Sequence, residues 1–235
     1  MPGKFRFKQF EIDQEGAAQK VGTDSVLLGA WVNHSLCKTI LDIGCGTGVL
    51  ALMMAQRFPH AMIDAVEIDD AACRCAVKNV ENSMFKYRIT VWHQKIQTFS
   101  TPVQYDLIIS NPPFFSSGLQ SPAHQRSAAR HTDHLTHDEL LHSAERLLKD
   151  SGSFALILPE QEANGIGLKA IRFGLFRTRT CHVHPLPGKE PNRVMITFQK
   201  DAADKLSVEH IVVRNADRTY SEAYKILTKD FYLSL

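Results

Sequence analysis

An asparagine followed by two prolines is the part of this sequence best suited to chemistry. The segment Asn111-Pro-Pro-Phe-Phe115 comes directly after a nearly apolar run, Tyr105-Asp-Leu-Ile-Ile-Ser110. Proline fixes φ and lacks a backbone donor, but it keeps its carbonyl oxygen. The side-chain oxygen of Asn111 and the carbonyl oxygen of Pro112 can therefore accept two hydrogen bonds from one exocyclic amino group. Phe114 can stack on the ring that carries this amine.

Two acceptors in this arrangement matter because an aromatic amine is a poor nucleophile, its lone pair being delocalised into the ring. Holding both amine protons favours a pyramidal nitrogen and directs the lone pair at an electrophile. The product cation is acidic, so no strong base is needed. The rate then comes from orientation and from stabilising the positive charge that develops on nitrogen.

A glycine-rich turn supplies a second candidate site. The run Thr39-Ile-Leu-Asp-Ile43 breaks into glycines at positions 44, 46 and 48, and an apolar helical pattern follows from Val49 to Ala55. Glycine suits such a strand-to-helix turn because the backbone takes φ > 0 and a ligand approaches without a Cβ in the way. The G-x-G-x-G spacing differs from G-x-G-x-x-G and so weakens the case for a dinucleotide.

An acidic residue at the end of the next strand strengthens the case for a ligand. Glu67 ends Met62-Ile-Asp-Ala-Val-Glu67 and lies nineteen residues beyond Gly48. This is close to the spacing of about 20 at which a carboxylate accepts both hydroxyls of a ribose. The glycine turn and Glu67 together predict a pocket for an adenosine-containing cofactor.

Alternating strands and helices must position these residues. We predict strands over 61–68, 88–92, 105–110 and 153–158, a helix over 70–79 capped by Asp69 or Asp70, and a helix over 137–148 begun by a capping box of Thr136 and Glu139. Such alternation indicates a parallel sheet with helices on both faces. Ligands bind beyond the carboxyl ends of such strands, so the residues that follow each strand are the site candidates.

The two ends of the chain carry weaker patterns. Phe5–Ile12 alternates aromatic and polar residues, which predicts one strand with Lys4, Arg6 and Lys8 on its exposed face, as solvated charges or phosphate contacts. A short helix follows, with Thr23 or Asp24 as its N-cap. Towards the other end we predict strands over 177–184 and 193–198, joined as a hairpin at the sheet edge, and a closing helix over 221–233.

Composition narrows the protein class. The net charge is only +2, so a polyanion needs a local basic patch. The sequence has neither an apolar run of about 18 residues nor a signal peptide, which predicts no membrane span. The five cysteines, without a C-x-x-C, predict reduced thiols in the cytoplasm. His131, His134 and His137 lack supporting ligands, so we predict no metal site.

A polar stretch over 116–134 is long for a loop inside a compact domain, and such loops tend to be functional or disordered. Arg126 and Arg130 lie four residues apart and share a face if this segment is helical. That spacing suits phosphate contacts, although plain surface charges fit it equally well.

The motifs resemble those of a known family. Asp42-Ile-Gly-Cys-Gly-Thr-Gly48, Glu67 and Asn111-Pro-Pro-Phe114 are similar to motifs of the Rossmann-like, S-adenosylmethionine-dependent amino-methyltransferases. A closer resemblance covers nearly the whole chain and points to the bacterial valine-tRNA adenine N(6)-methyltransferases, which act on adenine 37 beside the anticodon. The segments that carry it are Lys20-Val-Gly-Thr-Asp24, Leu28-Gly-Ala-Trp31, Leu107-Ile-Ile-Ser-Asn-Pro-Pro113, Leu158-Pro-Glu-Gln161, Tyr220-Ser-Glu-Ala-Tyr224 and Phe231-Tyr-Leu233.

The resemblance implies an α/β fold: a doubly wound, mostly parallel, seven-stranded Rossmann-like methyltransferase sheet with a terminal antiparallel hairpin. It implies a single domain over 1–235, with a lead-in over 1–38, a cofactor-binding core over 39–200 and a C-terminal strand and closing helix over 201–235. The implied cofactor is S-adenosylmethionine, and the implied partner is the anticodon stem-loop of a tRNA. We also expect a cytoplasmic monomer.

The same resemblance assigns the site residues. Asn111 and Pro112 hold the target amine, and the remaining substrate-binding residues are Pro113, Phe114, Phe115, Arg126 and Arg130. The cofactor-binding set is Thr23, Asp24, Asp42, Gly44, Cys45, Gly46, Gly48, Glu67, Ile68, Gln94, Lys95, Ile96 and Asn111. Many relatives have an acidic residue for the cofactor's adenine amine where this chain has Lys95, so that contact falls to backbone or to Gln94, or is absent.

Other functions use the same residues. A protein glutamine amide or a guanine in rRNA are alternative methyl acceptors for an Asn-Pro-Pro-Phe motif. A release-factor methylase carries a helical domain before its glycine turn, for which about forty residues leave little room, and no target-recognition domain for DNA is visible. A non-enzymatic alternative is an RNA-binding module with a vestigial cofactor pocket. The intact Asn111-Pro-Pro-Phe114 argues against that module, since binding alone does not need this geometry.

Overall fold

The computed structural model describes residues 4–14, 21–113 and 135–234. Its strands are β1 Lys4–Arg6, β2 Glu11–Asp13, β3 Thr39–Ile43, β4 Met62–Glu67, β5 Ile89–His93, β6 Tyr105–Ser110, β7 Leu148–Pro159, β8 Phe176–His184, β9 Arg193–Gln199 and β10 Ser207–Val212. Its helices are α1 Thr23–Trp31, α2 Val49–Arg57, α3 Asp70–Glu81, α4 His137–Leu147, α5 Glu160–Ile171 and α6 Glu222–Thr228.

Eight strands form one sheet in the order β10-β8-β9-β7-β6-β3-β4-β5. Every neighbouring pair is parallel except those that involve β9, which runs antiparallel to β7 and β8. The chain winds from β3 through β4 to β5 and then crosses to β6 on the other side of β3. The predicted doubly wound sheet is confirmed, and its switch point lies between β3 and β6, where such sheets bind ligands.

Successive residues of the central strands pack on opposite faces of the sheet. Ile40 and Leu107 join one buried cluster with α1, α2 and α6, whereas Leu41 and Ile108 join a second cluster with α4 and α5. Both faces are therefore covered, which explains why β6 is buried along its whole length. This packing holds the carboxyl ends of β3 and β6 side by side.

The sheet has one strand more than the predicted seven. The β8–β9 hairpin forms as expected, but it does not lie at the sheet edge, because β10 pairs with β8 in parallel and becomes the edge strand. Glu209 of β10 accepts hydrogen bonds from Arg179 at 2.6 and 3.0 Å and from the indole of Trp31 at 3.0 Å. These contacts attach β10 to β8 and to α1.

The predicted strand over Phe5–Ile12 is wrong, because the chain turns back within it. β1 and β2 pair as an antiparallel hairpin, and the Phe7 N–H donates to the Phe10 carbonyl at 2.8 Å. Phe7 and Phe10 are both buried, with ring centroids 4.5 Å apart. Because the turn buries both rings on one side, Lys8 leaves the face of Lys4 and Arg6, and its ammonium binds the Lys229 carbonyl.

Helix starts show where local signals suffice. Asp69 caps α3 through the Ala72 N–H, and Thr136 and Glu139 form the predicted capping box of α4. The predicted N-cap of α1 is wrong: Gly22 occupies that position, and no side chain caps the helix. Asp24 instead binds Arg193 of β9 at 2.8 Å. This ion pair draws the Asp24 carboxylate away from the helix backbone.

The C-terminal helix α6 is shorter than the predicted 221–233 and is capped by Ser221. All five cysteines are free thiols, as predicted. Of the helices in the described parts of the chain, none is long and apolar enough to cross a membrane.

Candidate active site

The glycine turn between β3 and α2 has the predicted backbone conformation. Gly44, Gly46 and Gly48 have φ of 70°, 56° and 83°. A Cβ added at Gly44 or Gly46 meets no atom within 4 Å, whereas one at Gly48 lies 3.4 Å from the Cβ of Ala76 in α3. The first two glycines therefore border open space in which a ligand can approach the backbone, and Gly48 lets α3 pack closely.

Glu67, at the end of β4, holds this turn together. Its Oε2 accepts from the Gly46 N–H at 2.8 Å, and its Oε1 accepts from the Ile68 and Asp69 N–H groups, both at 2.9 Å. The side chain is mostly buried. Each carboxylate oxygen has two lone pairs, so the residue retains capacity for a further donor such as a ribose hydroxyl.

Asp42 lies beneath the turn and is fully buried. Its Oδ2 accepts from the Ala51 N–H of α2 at 3.0 Å, and its Oδ1 has no hydrogen-bond partner in the described chain. Burial, with a smaller contribution from Glu67, raises the pKa of Asp42 to about 8 although the Ala51 bond opposes the shift. Asp42 thus supports the first turn of α2. Cys45 is also buried, which raises the pKa of its thiol. Its N–H donates to the Val66 carbonyl at 3.1 Å, and its carbonyl accepts from the Gly48 N–H at 2.8 Å.

A cavity beside the turn brings together five of the thirteen predicted cofactor residues, which are Gly44, Ile68, Gln94, Lys95 and Ile96. The remaining lining residues are Ile43 of β3, Val66 of β4, Gln97 and Leu135. The Gln94 side chain donates to the Thr98 carbonyl at 3.1 Å. The cavity has apolar walls with Gln94 and Lys95 on one side, which suits a flat heterocycle with polar edges.

Asn111 directly follows β6, whose last residue, Ser110, pairs with Ile43 before this turn. Its Nδ2 donates to the Oγ of Ser25 in α1 at 2.9 Å, whereas its Oδ1 is buried without a hydrogen-bond partner in the part of the chain that the structure describes. Pro112 is buried and Pro113 is exposed. One amide end is therefore used by the protein, and the other is left as an acceptor.

The N-terminus of α1 stands at the same site, because Ser25 contacts Asn111. Thr23 is exposed in the first turn, and Asp24 is bound to Arg193. With Gly22 as N-cap and no side-chain cap, backbone N–H groups of this turn are available to an anion such as a carboxylate.

Of the basic residues predicted near the site, some lie in the described part of the chain and some lie outside it. Lys4 and Arg6 both bind Glu11, at 3.5 and 2.9 Å, so their charges are partly neutralised. Phe114, Phe115, Arg126, Arg130, His131 and His134 lie outside the described residues. No cluster of three or more metal-binding side chains occurs over 4–14, 21–113 and 135–234.

Sequence reasoning missed Ser25 and Leu135. The signal for Ser25 is a single hydroxyl in an otherwise apolar helix, Ser25-Val-Leu-Leu-Gly-Ala-Trp31, because such a hydroxyl needs a partner once the helix is buried. Leu135 carries no signal of this kind, since only tertiary packing brings it to the cavity beside Ile43.

The chain matches known proteins over nearly its full length. The profile of the Methyltransferase small domain family matches residues 17–170. A protein of Phocaeicola vulgatus named tRNA1(Val) (adenine(37)-N6)-methyltransferase is 44% identical over 231 residues, which is 98% of each chain. A protein of the same name from Pedobacter heparinus is 43% identical over 235 residues and 100% of each chain.

The fold also matches a solved structure, that of a predicted O-methyltransferase from Agrobacterium tumefaciens. The TM-score is 0.68 at 17% identity, over 88% of this chain and 96% of that one. At this identity the match supports the fold, and the full-length relatives define the family more narrowly. The chain belongs to the Methyltransferase small domain family and, within it, to the tRNA1(Val) (adenine(37)-N6)-methyltransferases.

Proposed function

We propose that this protein transfers a methyl group from S-adenosylmethionine to the 6-amino group of adenine 37 in valine tRNA. The observation that carries this proposal is the buried, unpartnered Oδ1 of Asn111 next to the Pro112 carbonyl, at the sheet's switch point. A buried acceptor without a partner is uncommon in a folded protein. The missing partner is explained if the amine of the substrate donates a hydrogen bond to this oxygen during the reaction.

The residues fit the proposed cofactor. Gly44 and Gly46 border open space, and Glu67 adjoins it with capacity to accept from one ribose hydroxyl. The cavity between Ile68, Ile96 and Leu135 has apolar walls that suit an adenine ring. The uncapped first turn of α1 offers N–H groups to the carboxylate of the methionine part.

The proposed reaction needs little from the protein beyond orientation. Bound S-adenosylmethionine supplies an electrophilic methyl on a positively charged sulfur, so a new N–C bond forms as the S–C bond breaks and leaves its electron pair on sulfur. Asn111 Oδ1 and the Pro112 carbonyl each accept one proton of the amine and direct its lone pair at the methyl carbon. These acceptors also stabilise the positive charge that develops on nitrogen, after which one proton passes to water.

The proposal also includes the RNA element that is recognised, the cellular compartment, the oligomeric state and the number of domains. The substrate element is the anticodon stem-loop, and the protein acts as a cytoplasmic monomer. Five free thiols support a reducing compartment. One domain is supported by the C-terminal segment, because Tyr224 and Phe231 pack in the same buried cluster as α1 and α2.

Incubation with tRNA that lacks the modification and with methyl-labelled cofactor tests the proposal. We expect the label in N(6)-methyladenine at position 37 of valine tRNA, as read by nuclease digestion and mass spectrometry. Label in guanine of rRNA or in a protein glutamine would replace this substrate by one of the alternatives. Absence of transfer to any RNA or protein would refute the enzyme and favour the RNA-binding module.

A further inference from the structure

The side chain of Asn111 can serve an amine in only one of its two amide orientations. A turn of the amide by 180° exchanges the acceptor Oδ1 for the donor Nδ2 with almost no change in shape. A donor facing an amino group repels it and offers no site for the amine proton. The active site therefore needs a group that keeps Nδ2 turned away from the substrate.

Ser25 is the group in contact with Nδ2. Its Oγ accepts a hydrogen bond from Nδ2 at 2.9 Å. No other side chain in the described ranges bonds this amide, and its neighbours are otherwise engaged. Ser110 donates to the Ile43 carbonyl at 2.8 Å, and Pro112 has no N–H. The orientation of Asn111 thus depends on one hydroxyl from a helix 86 residues away in sequence.

Ser25 is itself held firmly. It is 7% exposed, and the Asp24–Arg193 ion pair binds the preceding residue to β9. One helical turn later, α1 packs closely on α2, because a Cβ added at Gly29 would lie 2.8 Å from the Met53 side chain. A hydroxyl on such a tightly packed helix can define an amide orientation better than one on a loop.

We propose that Ser25 is a positioning residue, which fixes the Asn111 amide so that Oδ1 faces the methyl-accepting amine. Ser25 itself does not touch the amine. This inference rests on the proposed function for its substrate, but the Ser25–Asn111 bond can be tested without any substrate.

The kinetic test compares Ser25→Ala with Ser153→Ala. Ser153, in the middle of β7, is a matched control because it is also buried and its Oγ also accepts from a side-chain amide, that of Gln199 at 3.2 Å. We expect Ser25→Ala to lower kcat about tenfold with little change in the KM for S-adenosylmethionine, because only amine orientation is lost. Ser153→Ala should leave kcat within about twofold. Equal kcat values for wild type and Ser25→Ala would overturn the proposal.

A spectroscopic test separates this proposal from the proposed function. In protein labelled with 15N-asparagine, the Nδ2 signal of Asn111 is the one that Asn111→Ala removes. We expect Ser25→Ala to shift or broaden that signal, and Ser153→Ala to leave it in place. An unchanged signal in Ser25→Ala would refute the positioning role whatever the substrate is. A changed signal in a protein that methylates no adenine would refute only the substrate assignment.

Discussion

The ends of β3 and β6 are neighbours in the sheet but are built on opposite plans. At the end of β3, the N–H groups of Gly44 and Cys45 bond the Val66 carbonyl, and that of Gly46 bonds Glu67. At the end of β6, Pro112 has no donor and Asn111 keeps a buried acceptor unpartnered. The glycine turn is thus stabilised by hydrogen bonds within the protein, whereas the acceptor at Asn111 is left for a hydrogen bond from the substrate.

Two buried oxygens without hydrogen-bond partners, one at each strand end, differ in their response to pH. Asp42 Oδ1 and Asn111 Oδ1 both lack a hydrogen bond in the described chain, but only the carboxyl can titrate. Burial raises the pKa of Asp42 to about 8, so a proton neutralises that group near neutral pH. The Asn111 amide has no such response and remains an acceptor at every pH.

The largest expected effect comes from removing the acceptor side chain that follows β6. Asn111→Ala should lower the turnover rate at least about a hundredfold, roughly 2.7 kcal/mol of barrier, because it removes an acceptor that orients the amine. Single-turnover methylation assays measure this loss. Asn164→Ala, an exposed change on α5, is the matched control. A variant with near-normal turnover would mean that the amine is held elsewhere.

Removing the carboxylate that holds the turn after β3 should instead weaken cofactor binding. Glu67→Ala removes the carboxylate that we assign to the ribose and also three hydrogen bonds within the turn. We expect about a 30-fold loss of affinity, roughly 2 kcal/mol, in a variant that remains folded. Calorimetry with S-adenosylmethionine provides the measurement, with the exposed Glu81→Ala as control. Unchanged affinity would contradict the assignment of Glu67.

A third variant separates the RNA side from both strand ends. Arg126→Ala together with Arg130→Ala should weaken tRNA binding about tenfold and reduce its salt dependence, because fewer phosphates are neutralised. S-adenosylmethionine affinity should not change. Lys38→Ala with Lys86→Ala is the matched control, since both lysines are exposed and precede the amino ends of β3 and β5, whereas Asn111 and the glycine turn follow carboxyl ends of strands. Equal tRNA affinity for the two double variants would leave these arginines as ordinary surface charges.

A measurement of stability, separate from activity and binding, tests the unpartnered oxygen of Asp42. Its folded pKa of about 8 exceeds the usual value of 3.8, so the folded state binds the extra proton between these pH values. The contribution of Asp42 to the free energy of unfolding should therefore fall as the pH rises from about 4 to 8, by less than about 1.4 kcal/mol per pH unit. Urea unfolding across this range should show a flatter profile for Asp42→Asn. The same slope in both proteins would show that Asp42 is ionised throughout.

Local features of the fold were predictable where a few neighbouring residues decide them. The caps at Asp69 and Thr136 were predicted from side chains within three residues of the bonds they make. The start of α1 was not, because Asp24 is held by Arg193, 169 residues away. The N-terminal strand was likewise wrong, since burial of both Phe7 and Phe10 bends the segment into a hairpin.

By itself, the sequence determined the chemistry that each segment can offer. Glycines at 44, 46 and 48 permit positive φ, two prolines remove donors after Asn111, and the spacing of Glu67 places a carboxylate after the next strand. The tertiary structure alone decided which polar groups are satisfied. It bonds Asn111 to Ser25 and closes the cavity with Leu135, because contacts between distant segments depend on helix packing that no local pattern encodes.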